Sequence, residues 1–212
     1  MVGDSDVTVL LGGDVMLGRG VDQILPHPSD PEMRELYLGD ARGHVRLAEH
    51  ANGPIAPPVD WRWPWGEVLA LLDEAGADIR LINLEATITA DGEFADRKPV
   101  CYRMHPNNLP ALTALRPHVC ALANNHILDF GYQGLTDTLA ALTRAGIQGV
   151  GAGADLPTAR RPGECDGRRP ARLQTTPRRW RQPRLPHQET AAMPTTAHSG
   201  PSVRTSSAKP RR

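Results

Sequence analysis

Four side chains within one short stretch carry the most chemistry in this 212-residue chain. The run Ala121-Leu-Ala-Asn-Asn-His-Ile-Leu-Asp-Phe-Gly131 moves from apolar residues into two amides and an imidazole, and Asp129 follows His126 by three positions. Amide oxygens from Asn124 and Asn125 suit a hard cation, and an imidazole either ligates a metal or moves a proton. The same stretch also reads as a turn, with Asn in left-handed positions and a capping Asp. Two further carboxylates stand at comparable places. Asp14 follows the β-favouring run Val7–Leu11, and Glu85 follows Ile79–Leu84. Arg19, five residues beyond Asp14, is a candidate either for holding an anionic group or for a structural ion pair.

The elements that would position these residues alternate. Val7–Leu11 reads as a strand broken by Gly12-Gly13-Asp14, and residues 65–75 read as a helix with Val68, Leu69, Leu71 and Leu72 on an apolar stripe, closed by Gly76. Ile79–Leu84 is a second strand. Asn107 or Asn108 is placed to cap a short helix through Leu115. Val119–Ala123 is a third strand, residues 134–145 a helix with Leu135, Leu139 and Leu142 on one face, and Ile147–Val150 a fourth strand. Alternating strands and helices predict a parallel sheet with right-handed crossovers. In such a sheet all carboxyl ends share one edge, so Asp14, Glu85 and the 124–126 cluster are expected to converge there.

Between the first strand and the first long helix, seven prolines (26, 28, 31, 54, 57, 58 and 64) predict loops and short helices over residues 21–64. Trp61, Trp63 and Trp65 alternate, either anchoring this excursion to the core or walling a substrate cleft. Asp4-x-Asp6-x-Thr8 lacks a strand before it, and Gly12–Gly20 lacks the Gly-x-Gly-x-x-Gly spacing of dinucleotide folds, so both of those chemistries are excluded.

Composition divides the chain. Residues 1–160 hold 12 basic and 21 acidic side chains, and residues 161–212 hold 12 basic and 3 acidic ones. Three widely spaced cysteines, Cys101, Cys120 and Cys165, give neither a disulfide framework nor a zinc knuckle. There is no basic-then-apolar leader and no apolar run of ~18 residues, so the reading is a cytoplasmic protein without a membrane span.

Gly13-Asp14-Val15-Met16-Leu17-Gly18-Arg19, then Asn83-Leu84-Glu85, then Ala123-Asn124-Asn125-His126 with Asp129-Phe130-Gly131, resemble the CapA family of capsule or poly-γ-glutamate synthesis proteins over about residues 6–160. The resemblance implies an α/β, calcineurin-like metallophosphoesterase fold, here in partial form, with a mostly parallel sheet and flanking helices. It implies divalent metal ions (Mn, Fe, Zn or Mg) held by Asp14, Glu85 and Asn125, with His126 as general acid and Arg19 on the substrate's anion. Asn83, Asn124 and Asp129 would stand one layer out, orienting the ligands and His126 or capping the next helix. Two metals about 3.5–4 Å apart would activate a water and polarise a phosphoryl oxygen. The implied partners are an anionic or phosphorylated substrate and the capsule or polyglutamate machinery; the alternative is a non-catalytic accessory subunit of a polymer-assembly complex, or an inactive product.

Two departures are from the wider superfamily and are shared by CapA-like sequences, and a third is from the family itself. Met16 stands where the wider superfamily carries His, Glu85 stands where Asp is customary, and the His-Trp-Gly and His-x-His motifs of the family's later portion do not occur. Residues 161–212 hold 11 Arg and 8 Pro with few hydrophobes, which predicts a disordered tail. The abrupt change after about Arg161 to Arg169 is what a shifted reading frame in a GC-rich gene would produce. Binding of nucleic acid by that tail is disfavoured, because it lacks interleaved aromatics and regular basic repeats.

Overall fold

The computed structural model describes residues 7–166 and 170–173. In chain order the elements are β1 (Val9–Val15), α1 (Gly20–Ile24), α2 (Arg42–Asn52), α3 (Val68–Glu74), β2 (Ile79–Leu84), β3 (Thr87–Ile88), β4 (Arg103–Met104), α4 (Leu109–Thr113), β5 (Val119–Ala121), α5 (Gly131–Arg144), β6 (Gln148–Val150), α6 (Leu156–Ala159), β7 (Gly163–Asp166) and β8 (Pro170–Leu173). Strands β1-β2-β5-β6, in that order, form a wholly parallel sheet. The mixed α/β class with a parallel sheet and flanking helices follows the expectation. Strands β3 and β4 make a small parallel pair, and β7 and β8 an antiparallel one. That second pair lies within the stretch whose composition predicts a disordered tail; residues 167–169 and 174–212 of it lie outside the described residues.

The main core joins Ile82, Leu84, Cys120 and Leu122 from the sheet to Leu69 of α3, Leu112 of α4 and Leu142 of α5. Ile79, Val119 and Val150 form a second, smaller apolar cluster. Their register, Leu81 opposite Val119 opposite Gln148, puts alternate residues of the strands on opposite faces.

Several local expectations change in instructive ways. β1 does not stop at Gly12 but runs to Val15, with Gly12 opposite Ile82 and Asp14 opposite Asn83. Gly13 is therefore an extra residue, a bulge that re-aims the following side chain. Asp14 is thus delivered by a strand beside Asn83, rather than by a loop beyond one. On α3 the apolar stripe is only half used: Leu69 and Leu72 meet the core, while Leu71 is 62% exposed. Asn108 does not cap α4 through its side chain. Its buried amide instead donates to Asp22 Oδ1 (2.7 Å) and to the His27 carbonyl (2.9 Å). Asp22, itself buried, also accepts from the Ser29 and His105 N–H groups at 2.6 and 2.9 Å. A buried carboxylate with three donors is a costly group made tolerable by saturation, and it ties the proline-rich excursion to the start of α4.

The tryptophans divide between the two roles offered for them. Trp61 and Trp65 pack against the core, and Trp65 Nε1 donates to the Ala111 carbonyl at 2.7 Å. Trp63 is 52% exposed and stands at the mouth of a cavity.

Candidate functional site

Residues paired in register share a face, and Glu85, one residue past β2 but still bonded through its N–H to the Val15 carbonyl, shares it with Asn83 two positions before. Asp14, Asn83 and Glu85 therefore meet at the carboxyl ends of β1 and β2. The Asn83 amide donates to Asp14 Oδ1 at 2.7 Å and also to Glu85 Oε2. Which end of that amide faces the carboxylates follows from the chain of partners. Asn124 Oδ1 accepts from the His126 N–H at 3.0 Å, so its NH2 faces the other way and donates to the Leu84 carbonyl (2.8 Å) and Asn83 Oδ1 (3.0 Å). Asn83 consequently turns its own NH2 toward both carboxylates. A single neutral amide thus bridges two carboxylates brought together from adjacent strands.

His126 is buried and held on all sides. A carboxylate only accepts, so His126 Nδ1–H donates to Asp129 Oδ2 at 2.7 Å, and Nε2 is left facing Glu85 Oε1 at 3.8 Å. Asp129 is 0% exposed and also accepts from the Tyr102 N–H (2.6 Å) and the Lys98 ammonium. Lys98 donates as well to the Asn125 carbonyl. The Tyr102 ring stacks on the imidazole, centroids 4.1 Å apart and planes 20° apart, and the Thr87 hydroxyl donates to the His126 carbonyl at 2.8 Å. Gly131, with φ 63°, turns the chain into α5 directly after Phe130.

Arg19 pairs with Glu35, its Nε at 2.7 Å from Oε1, and its guanidinium lies 4.8 Å from the Tyr102 ring centre. Asn125 is exposed at the rim, and its backbone carbonyl rather than its side chain joins the network. Gly18, from the first motif, has a physical reason: a Cβ there would sit 2.6 Å from the Arg103 carbonyl oxygen. Met16, where the superfamily has His, is 47% exposed and lines the same cavity as Trp63.

The structure therefore brings together Asp14, Asn83, Glu85, Asn124, His126 and Asp129. Lys98, Tyr102 and Glu35 were not marked by the sequence. They lie in aperiodic loops, and the one available signal was rarity: Lys98 is one of two lysines beside 22 arginines. Asp14 and Glu85 supply carboxylate oxygens, the donor type that hard divalent cations take, and the Asn83 NH2 lies between them. Among the described residues, no group of three or more His, Cys, Asp or Glu side chains is arranged to hold a metal ion.

The neighbouring thiols are silent. Burial, then the Asp129 charge, raises the Cys101 pKa, and burial alone pushes Cys120 up to about 12. A raised pKa removes the reactive thiolate at neutral pH. In a Cys165→Ser protein at pH 8, an aromatic disulfide reagent is expected to label neither cysteine until denaturant is added, and then both. Rapid labelling of the native protein would refute the burial of these thiols.

The family model of the bacterial capsule synthesis protein PGA_cap matches residues 8–208, extending through the Arg- and Pro-rich stretch. Two curated relatives, from Mycobacterium tuberculosis strains CDC 1551 and H37Rv, are each described as a probable polyglutamine synthesis accessory protein. Both are 78% identical to this chain over 162 residues, which cover 76% of it and 43% of each relative. The chain thus spans less than half the length of these relatives. Among the described residues no helix is long and apolar enough to cross a membrane.

Proposed function

The chain belongs to the bacterial capsule synthesis protein family, and from that premise we propose that it serves capsule or polyglutamate production as a divalent-cation-dependent hydrolase of phosphoester-type bonds. The observation that carries the chemical part is the meeting of Asp14 and Glu85 on the one Asn83 amide, with His126 Nε2 beside Glu85. Asp14 and Glu85 would hold the cation, and the exposed Asn125 amide at the rim would complete their set. When bound, such an ion polarises a phosphoryl oxygen and acidifies a water. The protein's own contribution is positional. Asn83 and Asn124 keep the two carboxylates aimed, and Asp129 accepts the Nδ1–H and fixes the imidazole with Nε2 outward; in the doubly protonated imidazolium, Nε2–H would give its proton to the departing oxygen and leave the neutral ring still bonded to Asp129. Arg19, its charge taken by Glu35, holds the Tyr102 ring against the imidazole and is not needed as an anion clamp.

A second reading is a non-catalytic accessory subunit. The absence, among the described residues, of three converging His, Cys, Asp or Glu side chains favours it, as does the word accessory in the relatives' description. One pair of measurements separates the two: calorimetric titration with Mn²⁺, and hydrolysis of bis(p-nitrophenyl) phosphate with Mn²⁺ present. The hydrolase reading expects both signals, with Asp14→Asn and Glu85→Gln each weakening Mn²⁺ binding by roughly a hundredfold, at the upper end of what supporting residues contribute. Mn²⁺ binding without turnover supports the accessory reading, and no binding at all removes the hydrolase.

A further inference from the structure

The backbone at Arg19 is held where a residue with a Cβ is rarely found: its φ is 55° and its ψ −129°. A conformation of that kind persists only where the surroundings over-determine it. The flanking positions are glycines packed too tightly for a Cβ, which at Gly20 would lie 2.8 Å from His44 Cβ. The strained place between them is nonetheless filled by an arginine, and its guanidinium has two partners. Nε donates to Glu35 Oε1 at 2.7 Å, and the group stands 4.8 Å from the centre of the Tyr102 ring. Tyr102 in turn lies on His126, ring centres 4.1 Å apart. A line of contacts therefore runs from Glu35 to the imidazole.

We propose that Glu35 is a positioning residue for His126, acting through Arg19 and Tyr102. The kinetic side of this rests on the hydrolytic reading above, and the geometric side does not. A guanidinium over a ring is a weak contact wherever water reaches it, and the Arg19 side chain is 27% exposed. That contact alone does not outweigh a strained backbone. The charge-assisted bond to the carboxylate is the stronger restraint, and among the described residues Glu35 is the one acid that Arg19 meets. Glu35 is itself fixed, because its loop is closed by Met33 N–H on the Gly39 carbonyl (3.0 Å) and Ala41 N–H on the Pro31 carbonyl (2.8 Å). Without the carboxylate, Arg19 relaxes its backbone and leaves the ring, and Tyr102 loses a group that holds it on the imidazole. The proline-rich excursion thereby helps to orient His126 from outside the β3–β4 loop.

The test reads geometry and turnover separately, on the full chain. Protons of an imidazole lying against an aromatic face resonate upfield. Before any metal is added, the His126 ring signals, identified among the eight histidines by their loss in His126→Gln, should move downfield in Tyr102→Leu. Glu35→Gln, which leaves both rings in the sequence, should move the same signals in the same direction. Arg19→Gly and Arg19→Ala should do so too, with the glycine variant melting at the higher temperature because it alone releases the strain. In Mn²⁺-dependent hydrolysis of an alkyl phosphodiester, Glu35→Gln should lower kcat about tenfold, the small end of what supporting residues contribute, and leave KM unchanged. A merely structural ion pair leaves the His126 signals unmoved. The proposal is overturned if Glu35→Gln does so while Tyr102→Leu shifts them, or if Tyr102→Leu shifts nothing. It is overturned equally if Glu35→Gln raises KM with kcat intact. An unsubstituted protein that hydrolyses nothing removes the hydrolytic reading instead, and the resonances still decide the role of Glu35.

Discussion

Asp129→Ala is expected to cost about 3–5 kcal/mol of folding stability, read as a lowered midpoint in urea. The carboxylate is wholly buried and answers three donors: His126 Nδ1–H, the Tyr102 N–H and the Lys98 ammonium. Its removal leaves an ammonium, 23% exposed, without its anion, and a backbone N–H without its acceptor. Most of the loss therefore comes from what is left behind rather than from the interaction deleted. That distinction is measurable. Lys98→Met in the same chain should restore part of the stability, because the orphaned charge goes with it. A double variant as unstable as the two single losses added together would show that the pair is uncoupled, and would refute the account.

His126→Gln is expected to leave the fold largely intact and to lower cation-dependent phosphoester hydrolysis by roughly 10²–10⁴, the usual weight of a proton-transferring side chain. The proposed role also predicts how the loss depends on substrate. A p-nitrophenolate leaves readily without a proton, whereas an alkoxide does not. The substitution should therefore be mild with an aryl ester and severe with an alkyl ester. Equal losses on both would mean that His126 supports the site by packing, through its stacking on Tyr102 and its bond to Asp129, and donates no proton. Because Gln cannot reproduce the imidazole's flat face, circular dichroism of the variant belongs beside the kinetics.

The convergence of Asp14, Glu85 and the Asn124–His126 cluster was legible because it depends on topology alone. Alternating strands and helices dictate parallel strands, and parallel strands share one carboxyl edge. His126 and Asp129 were legible as a pair through their close spacing, although the choice between orienting the ring and capping a helix needed coordinates. Asp129 proved to face the imidazole, and α5 has no side-chain cap. What could not be read is what loops contribute. Lys98 and Tyr102 reach the imidazole from residues 89–102, a stretch whose order comes from tertiary contacts and leaves no periodic trace. Gly13 looked like a strand breaker, and only the register with β2 identifies it as a bulge. Asn108 had the residue type and position of a helix cap, yet the buried Asp22 carboxylate drew its amide inward. Arg19 left two roles open, and its neighbour Glu35 is 16 residues away with no spacing rule to connect them.

The loop between β3 and β4 gives the site a single latch. It supplies the ring that lies on His126, and it also supplies two of the three donors on Asp129. It is held down from the other side where Ala95 N–H reaches the Asp129 carbonyl at 2.8 Å. Lifting that one stretch would undress the imidazole and strand its carboxylate in the same movement, while the sheet and its two carboxylates stayed in place. The carboxylate pair and the imidazole thus stand on separate mechanical footings: one is as durable as the β-ladder, the other only as durable as a loop's grip.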